Sequence, residues 1–371
     1  MKNNLGIYIH VPFCAAKCAY CDFYSLAGKP EWWDAYVTRM TTELQQKAPA
    51  CQDWTVDTIY FGGGTPSLLG GERIADILHT IQTCYTVQPD AEITVEANPD
   101  SMTDMFLTQT HEAGVNRLSM GIQSAQDEVL QKIGRIHTFH QAQDAFFRAR
   151  QAGFDNLSVD LMYALPGQTL PQLEQSIDAL LALQPEHLSC YGLTLEPHTP
   201  LGRQNPVLPD EDTQADMYLL LCQKMADAGF DHYEISNFAR PGYHSRHNSR
   251  YWKQSPYLGF GPGAHGDWQG MRYEIPRDLP AWLAGQLEPI PEDTEAIDRA
   301  AEYVMLSLRT AEGFDSAWYQ KTFLRSPEPI ERILSGLPKQ YMEHTGSRWH
   351  LTDTGFLISN AILVAVLDGV E

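Results

Sequence analysis

Short apolar, β-branched runs recur through the first half of the chain, at 7–13, 58–61, 92–96, 117–122, 157–163 and 187–195, and each predicts a strand. Between them lie stretches of helical length at 31–46, 72–84, 104–113, 138–151 and 170–182, several closed by a turn such as Ala113-Gly114 or Ala152-Gly153. Strands alternating with helices imply βαβ units and a mainly parallel sheet. Six such units are too few for a closed eight-stranded barrel, so the expected fold is α/β, an open or partial (β/α)6 barrel.

Beyond about residue 196 the pattern changes. A Pro/Gly-rich region follows, interrupted by one amphipathic helix at 210–229, and from about 287 the chain reads as helical again at 293–308 and 351–367. The expected organisation is a barrel core over 1–200, an extension of it over 201–286, and a small α-rich domain over 287–371. No solenoid-period repeat or low-complexity segment interrupts this reading.

Composition narrows the partners. With 26 Lys and Arg against 47 Asp and Glu, the formal charge is −21, which opposes binding to polyphosphate, so no nucleic-acid partner is expected. The apolar run 361–367 is far short of the ~20 residues that cross a bilayer, and the N-terminus leads into a strand instead of a signal sequence. The expectation is a cytoplasmic protein without a transmembrane segment.

Seven cysteines, an odd number without an export signal, argue for metal or redox use over a disulfide framework. Three of them, Cys14, Cys18 and Cys21, form a C-x3-C-x2-C loop directly after the first predicted strand, where α/β proteins place ligands. Thiolates at this density select zinc or iron–sulfur chemistry. Zinc sites usually pair two C-x2-C knuckles, and Cys51, Cys84, Cys190 and Cys222 are isolated, so they read as core. An iron–sulfur cluster with one iron left open fits better.

With Tyr20 inside it, this loop resembles that of the radical S-adenosylmethionine (radical SAM) superfamily. The resemblance implies a 4Fe–4S cluster held by Cys14, Cys18 and Cys21, whose fourth iron is chelated by SAM and whose electron can cleave SAM to a 5′-deoxyadenosyl radical. It also implies SAM contacts from the glycine-rich strand end Gly63-Gly64-Thr65 and from Tyr8, Glu96, Gln123, Arg135 and Asp160. A carboxylate inside an apolar strand is costly unless paired or bound, which is the independent reason to single out Glu96 and Asp160.

Within that superfamily the whole chain is similar to the branch containing oxygen-independent coproporphyrinogen III dehydrogenases and HemW-type haem chaperones. The dehydrogenases continue the loop to a fourth cysteine and carry an N-terminal cover. Here Cys21-Asp22-Phe23 puts Phe at that position and 13 residues precede Cys14, so the chaperone group is favoured over the dehydrogenase. His247, Asn248, Tyr251 and Trp252 match the HNxxYW motif of that group, implying haem contacts, with imidazole a common iron ligand and Arg250 placed to pair with a propionate. The partners implied are haem and haem-accepting apoproteins, membrane-associated acceptors included. Gly261-Pro-Gly263-Ala-His-Gly266 spells G-x-G-x-x-G, but Pro262 removes a donor and no strand–helix unit surrounds it; the expectation is a loop near the SAM adenine.

Overall fold

The computed structural model describes residues 3–292 and 298–368. Its central element is a 12-stranded sheet. The parallel strands are β1 (Asn3–Val11), then, after the two-residue β2 (Phe13–Cys14) and β3 (Leu26–Ala27), β4 (Trp54–Gly63), β5 (Val87–Ala97), β6 (Arg117–Gln123), β7 (Leu157–Tyr163) and β8 (His187–Gly192). Each of the six strands expected from the sequence is present. The helices Trp33–Lys47, Gly71–Cys84, Asp104–Glu112, Phe139–Gln151 and Leu170–Leu181 connect them on the outside.

Alternation along each strand sorts side chains between two environments. On β1, Leu5, Ile7, Ile9 and Val11 are fully buried, while the alternate residues Gly6, Tyr8 and His10 share the other face. That second face is the barrel lumen, and it is polar. Across it Tyr8 pairs with Tyr60, Tyr60 with Thr94, and Thr94 with Arg117, a single cross-strand layer from β1 to β6. Barrel interiors are normally filled by branched aliphatics; this one is filled by hydroxyls, rings and charges.

The Pro/Gly-rich region supplies strands too short to show periodicity: β9 (Asp231–Glu234), β10 (Asn237–Ala239), β11 (Tyr257–Phe260), β12 (His265–Trp268), β13 (Met271–Glu274) and β14 (Ile290–Pro291). They extend the sheet at both edges. β11 lies parallel to β1 and continues into β12, β13 and β14, whereas β10 and β9 lie antiparallel beyond β8. Among the described residues β9 and β14 are the two edges of the sheet and do not pair, which leaves the barrel open. Gly261 and Gly263 form the turn between β11 and β12, both with positive φ, and a Cβ at Gly261 would lie 2.7 Å from the His10 carbonyl oxygen. This is the G-x-G-x-x-G segment, and it packs against His10 and Tyr24 beside the first strand.

The last part of the chain combines helices with a small antiparallel sheet, β15 (Phe314–Asp315), β16 (Met342–Thr345) and β17 (Arg348–Leu351). The sheet adds to the expected α-rich character. The expected helix at 293–308 is observed as Arg299–Ser307, positions 293–297 lying outside the described residues; that at 351–367 is observed as Asp353–Leu357 and Ser359–Asp368. This unit is bonded to the β9 edge, where Ile235 donates to the Arg309 carbonyl and Ala311 to that of Tyr233, both at 3.0 Å.

Helix Arg246–Trp252 closes the start of the barrel strands. Arg250 reaches back to pair with Asp57, donates to Thr58 Oγ1 at 3.0 Å, and both members of the pair are largely buried. Replacing Arg250 by Ala leaves Asp57 an uncompensated buried charge, so the expected loss is about 3–5 kcal/mol of unfolding free energy, read as a lower denaturation midpoint in urea. An unchanged midpoint would show that the pair does not hold this helix to β4.

Candidate functional site

The C-terminal ends of the parallel strands converge on a cavity of about 370 Å³. Eleven of the residues singled out in the sequence line it together: Cys14, Cys18, Cys21, Tyr20, Gly63, Gly64, Thr65, Glu96, Gln123, Arg135 and Asp160. The three thiols are free, and Cys51, Cys190 and Cys222 are buried elsewhere, with Cys84 half-buried. The cysteine loop is fixed by main-chain bonds, Ala19 N to the Ile133 carbonyl at 3.1 Å and Cys21 N to that of Cys18 at 3.2 Å.

Two side chains donate to the sulfurs. Thr65 Oγ1 lies 3.6 Å from Cys14 Sγ and Arg135 Nη1 3.5 Å from Cys18 Sγ. Such donors stabilise thiolates that carry iron. Burial raises the Cys21 thiol above its ordinary value, so this thiol is not ionised on its own and needs a metal to become a thiolate. Three soft ligands with no fourth cysteine suit a cluster that keeps one iron for a ligand. Phe23, 68% exposed, stands at the position where a fourth cysteine is absent.

The glycines make the wall. Gly63 has φ +109, and a Cβ there would sit 2.5 Å from the His10 ring; at Gly64 it would sit 2.5 Å from the Phe13 carbonyl oxygen. Gln123 also lies in the left-handed region at φ 72, where the β6–β7 register shifts, so its side chain is turned into the cavity by a strained backbone. Arg135 donates through Nη2 to Asn98 Oδ1 and the Gly121 carbonyl, while its Nε is buried without a partner, an open donor in the cavity wall.

Glu96 accepts from Tyr60 Oη at 2.8 Å and the Gly63 amide at 3.2 Å, yet burial pushes its carboxyl up to about 7. Burial likewise lifts Asp160 to about 6, against donation from Ser189 and Ser119. The charge below both is Arg117. It is 1% exposed, and its Nε and Nη1 have no hydrogen-bond partner. Its field pulls both carboxyls back toward ionisation. Asp160 also feels Arg135 in the same wall, and the two carboxyls of Glu96 and Asp160 are the groups of this cavity that can face the cationic part of a ligand.

Sequence reasoning missed Asn98, which joins Arg135 to Thr65 through Nδ2 at 3.1 Å, although it lies two residues beyond Glu96. It missed Arg117, whose signal was a cation opening an otherwise apolar strand.

The remaining candidates lie outside that cavity. Tyr8 does not reach the cluster cavity; its Oη bonds His10 Nδ1 at 3.1 Å, and its ring lines a neighbouring pocket with Tyr251. His247 is 0% exposed, with Nδ1 2.9 Å from Thr58 Oγ1 and Nε2 2.9 Å from Tyr251 Oη. Burial pushes its imidazole down to about 3, which keeps it neutral between Thr58 and Tyr251. Asn248 lies within the helix cap, its amide bonded to Ser245 Oγ. Arg250 is committed to Asp57. Of this segment, Trp252 faces a wide cavity, at the opposite end of the barrel from the thiols.

A model of the radical SAM superfamily matches residues 8–180. The haem chaperone HemW of Escherichia coli (strain K12) is 36% identical over 366 residues, covering 97% of both chains. The haem chaperone HemW of Bacillus subtilis (strain 168) is also 36% identical, covering 97% of this chain and 98% of its own. The solved structure of coproporphyrinogen III oxidase (HemN) from Escherichia coli, a radical SAM enzyme, superposes with a TM-score of 0.85 at 21% identity, over 98% of this chain and 90% of that one. At that identity the superposition speaks for the fold.

Replacing Cys14, Cys18 or Cys21 by Ala should abolish bound iron and sulfide after anaerobic reconstitution, whereas Ser at Cys51, Cys84, Cys190 or Cys222 should not. Wild-type iron content in any of the first three variants would remove that cysteine from the ligand set.

Because Glu96 must be ionised to face a cation and is held at about 7, S-adenosylmethionine should bind more tightly as pH rises through neutrality and more weakly as it falls toward 6. Arg117→Met removes the field that favours ionisation and should move the midpoint of that dependence to higher pH, with iron content unchanged. Calorimetric titration across pH checks both, and a flat profile would refute them.

Proposed function

We propose, because this chain belongs to the radical SAM superfamily and within it to the HemW family, that it binds haem and hands it to haem-requiring apoproteins. As a radical SAM protein it binds a 4Fe–4S cluster and S-adenosylmethionine, and the cavity at the strand ends has the residues to hold them: three thiols for iron, Gly63 and Gly64 for close approach, and Glu96 and Asp160 for the cationic part of the ligand. The cluster supplies one-electron chemistry when bound. The chain's own part is to hold the thiols, exclude water from Glu96 and Asp160, and keep Arg117 beneath them.

The observation that carries the chaperone reading is the match to HemW proteins along 97% of the chain, including the closing helix Arg246–Trp252. Coproporphyrinogen III dehydrogenase is the second reading, favoured by the shared fold. Phe23 in place of a fourth cysteine opposes it. Among the described residues no helix is long and apolar enough to cross a membrane. We place the protein in the cytoplasm, meeting its acceptors, membrane-associated ones among them, from that side.

Anaerobically reconstituted protein should take up haem stoichiometrically, seen as a Soret band that co-elutes on gel filtration, and should lose it to an apo-haem protein added in excess. It should not convert coproporphyrinogen III with reduced cluster and excess S-adenosylmethionine. Failure to retain haem would end the chaperone reading, and product formation would replace it with the dehydrogenase.

A further inference from the structure

We infer that Cys222, His232 and Asp353 form a zinc site that ties the edge of the barrel sheet to the C-terminal part of the chain, a role independent of the haem-chaperone reading. Cys222 lies on the helix Glu211–Asp227, His232 on the edge strand β9, and Asp353 opens the helix Asp353–Leu357. The thiol sulfur, one imidazole nitrogen and one carboxylate oxygen all lie within 4.8 Å of one another. In a tetrahedral zinc site such donors stand about 3.3–3.5 Å apart, so small side-chain movements bring all three onto one ion.

The surroundings fix the imidazole and leave polar atoms waiting. The His232 ring lies flat on Phe238 of β10, with centroids 4.2 Å apart and planes at 18°, and Phe356 of the C-terminal part packs against it at 5.1 Å. Rings locked in an apolar shell are what a metal site requires of its histidines. Nδ1 lies 2.7 Å from Asp353 Oδ1, so imidazole and carboxylate already converge. Nε2 is buried with no hydrogen-bond partner. Tyr218 Oη, near enough to Cys222 to favour its thiolate, is likewise buried without completing a hydrogen bond. Two unpaired buried polar atoms at one spot are rare in a folded chain. A cysteine that merely fills the core beside an ordinary His–Asp pair leaves both unexplained.

Donor chemistry selects the ion. One sulfur, one imidazole and one carboxylate suit zinc, whereas magnesium and calcium take oxygen ligands. Charge balances as well, because the Cys222 thiolate and the Asp353 carboxylate together match a divalent cation, with His232 neutral. Burial, and after it the charge of Asp353, push the Cys222 thiol up to about 12, so it keeps its proton until a metal displaces it. Uptake forms Zn–S, Zn–N and Zn–O bonds and releases that one thiol proton to solvent, with no change of oxidation state. Asp353 is half-exposed and gives the ion its way in, and a water completes the fourth position.

The test uses the full chain with its cluster reconstituted, so that Cys14, Cys18 and Cys21 are occupied by iron, incubated with zinc chloride, desalted and analysed for zinc. Wild type should keep one zinc per chain, and zinc-edge X-ray absorption should show a single sulfur among lighter donors. Cys222→Ala, His232→Phe and Asp353→Asn should each weaken zinc retention at least tenfold against a chelating dye. Zinc should raise the thermal midpoint of wild type and leave that of Cys222→Ala where it was. His232→Phe preserves the stack on Phe238, and iron and sulfide content reports that the fold and the cluster are intact in each variant. The inference fails if wild type keeps no zinc, if the three variants match it in affinity, or if several sulfurs surround the ion, which would place it in the cluster loop.

Discussion

The structure depends on one constraint: a barrel lumen filled with polar side chains must satisfy or balance every one of them away from water. An unpaired buried charge costs several kcal/mol. The layer Tyr8, Tyr60, Thr94 and Arg117 meets this constraint only partly, because Thr94 Oγ1 and two nitrogens of Arg117 have no partner. Apolar packing outside the sheet supplies the stability that tolerates it: the outward faces of β1 and β4 and the helices against them form one continuous core. The lumen is therefore kept for ligands, and its strain sits where a charge will arrive.

From that constraint the two ends of the barrel acquire different characters. At the C-terminal ends Arg135, Gln123 in its left-handed backbone, and Glu96, raised by burial, line the thiol cavity. At the N-terminal ends the polar lumen must be sealed, and helix Arg246–Trp252 seals it. His247 plugs it with both ring nitrogens bonded, Glu92 accepts the amides at the start of that helix at 2.9 Å, and Arg250 neutralises Asp57.

This explains what the sequence showed and what it hid. The parallel strands were legible because residues such as Leu5, Ile7, Ile9 and Val11 place β-branched and large apolar groups on the core face of a long strand. The cluster loop was legible because three thiols within eight residues have few other uses. Strands such as Asn237–Ala239 were not legible, since three residues contain no period to read. The surroundings of His247 were not legible for a related reason. A motif reports which residues occur together, while the hydrogen bond to His247 comes from Thr58, 189 residues earlier in the chain. Arg117 was overlooked because a lone cation at a strand start usually points to solvent, and only the register with Thr94 puts it in the lumen.

The separation of the two ends bears on what kind of work this fold does. Radical chemistry requires its substrate beside the cluster and closed to water. The thiol cavity has about 370 Å³, with exposed Phe23 in its lining. The opposite end lies beyond His247, Tyr60 and Tyr8, whose rings stack across the lumen at centroid distances of 5.1 and 6.2 Å. Tyr60 bonds Glu96 on one side and stacks on His247 on the other, so occupancy of the cluster cavity and the packing of the closing helix share one side chain. Tyr60 is thus the residue through which the packing of the cofactor end and that of the closing end meet.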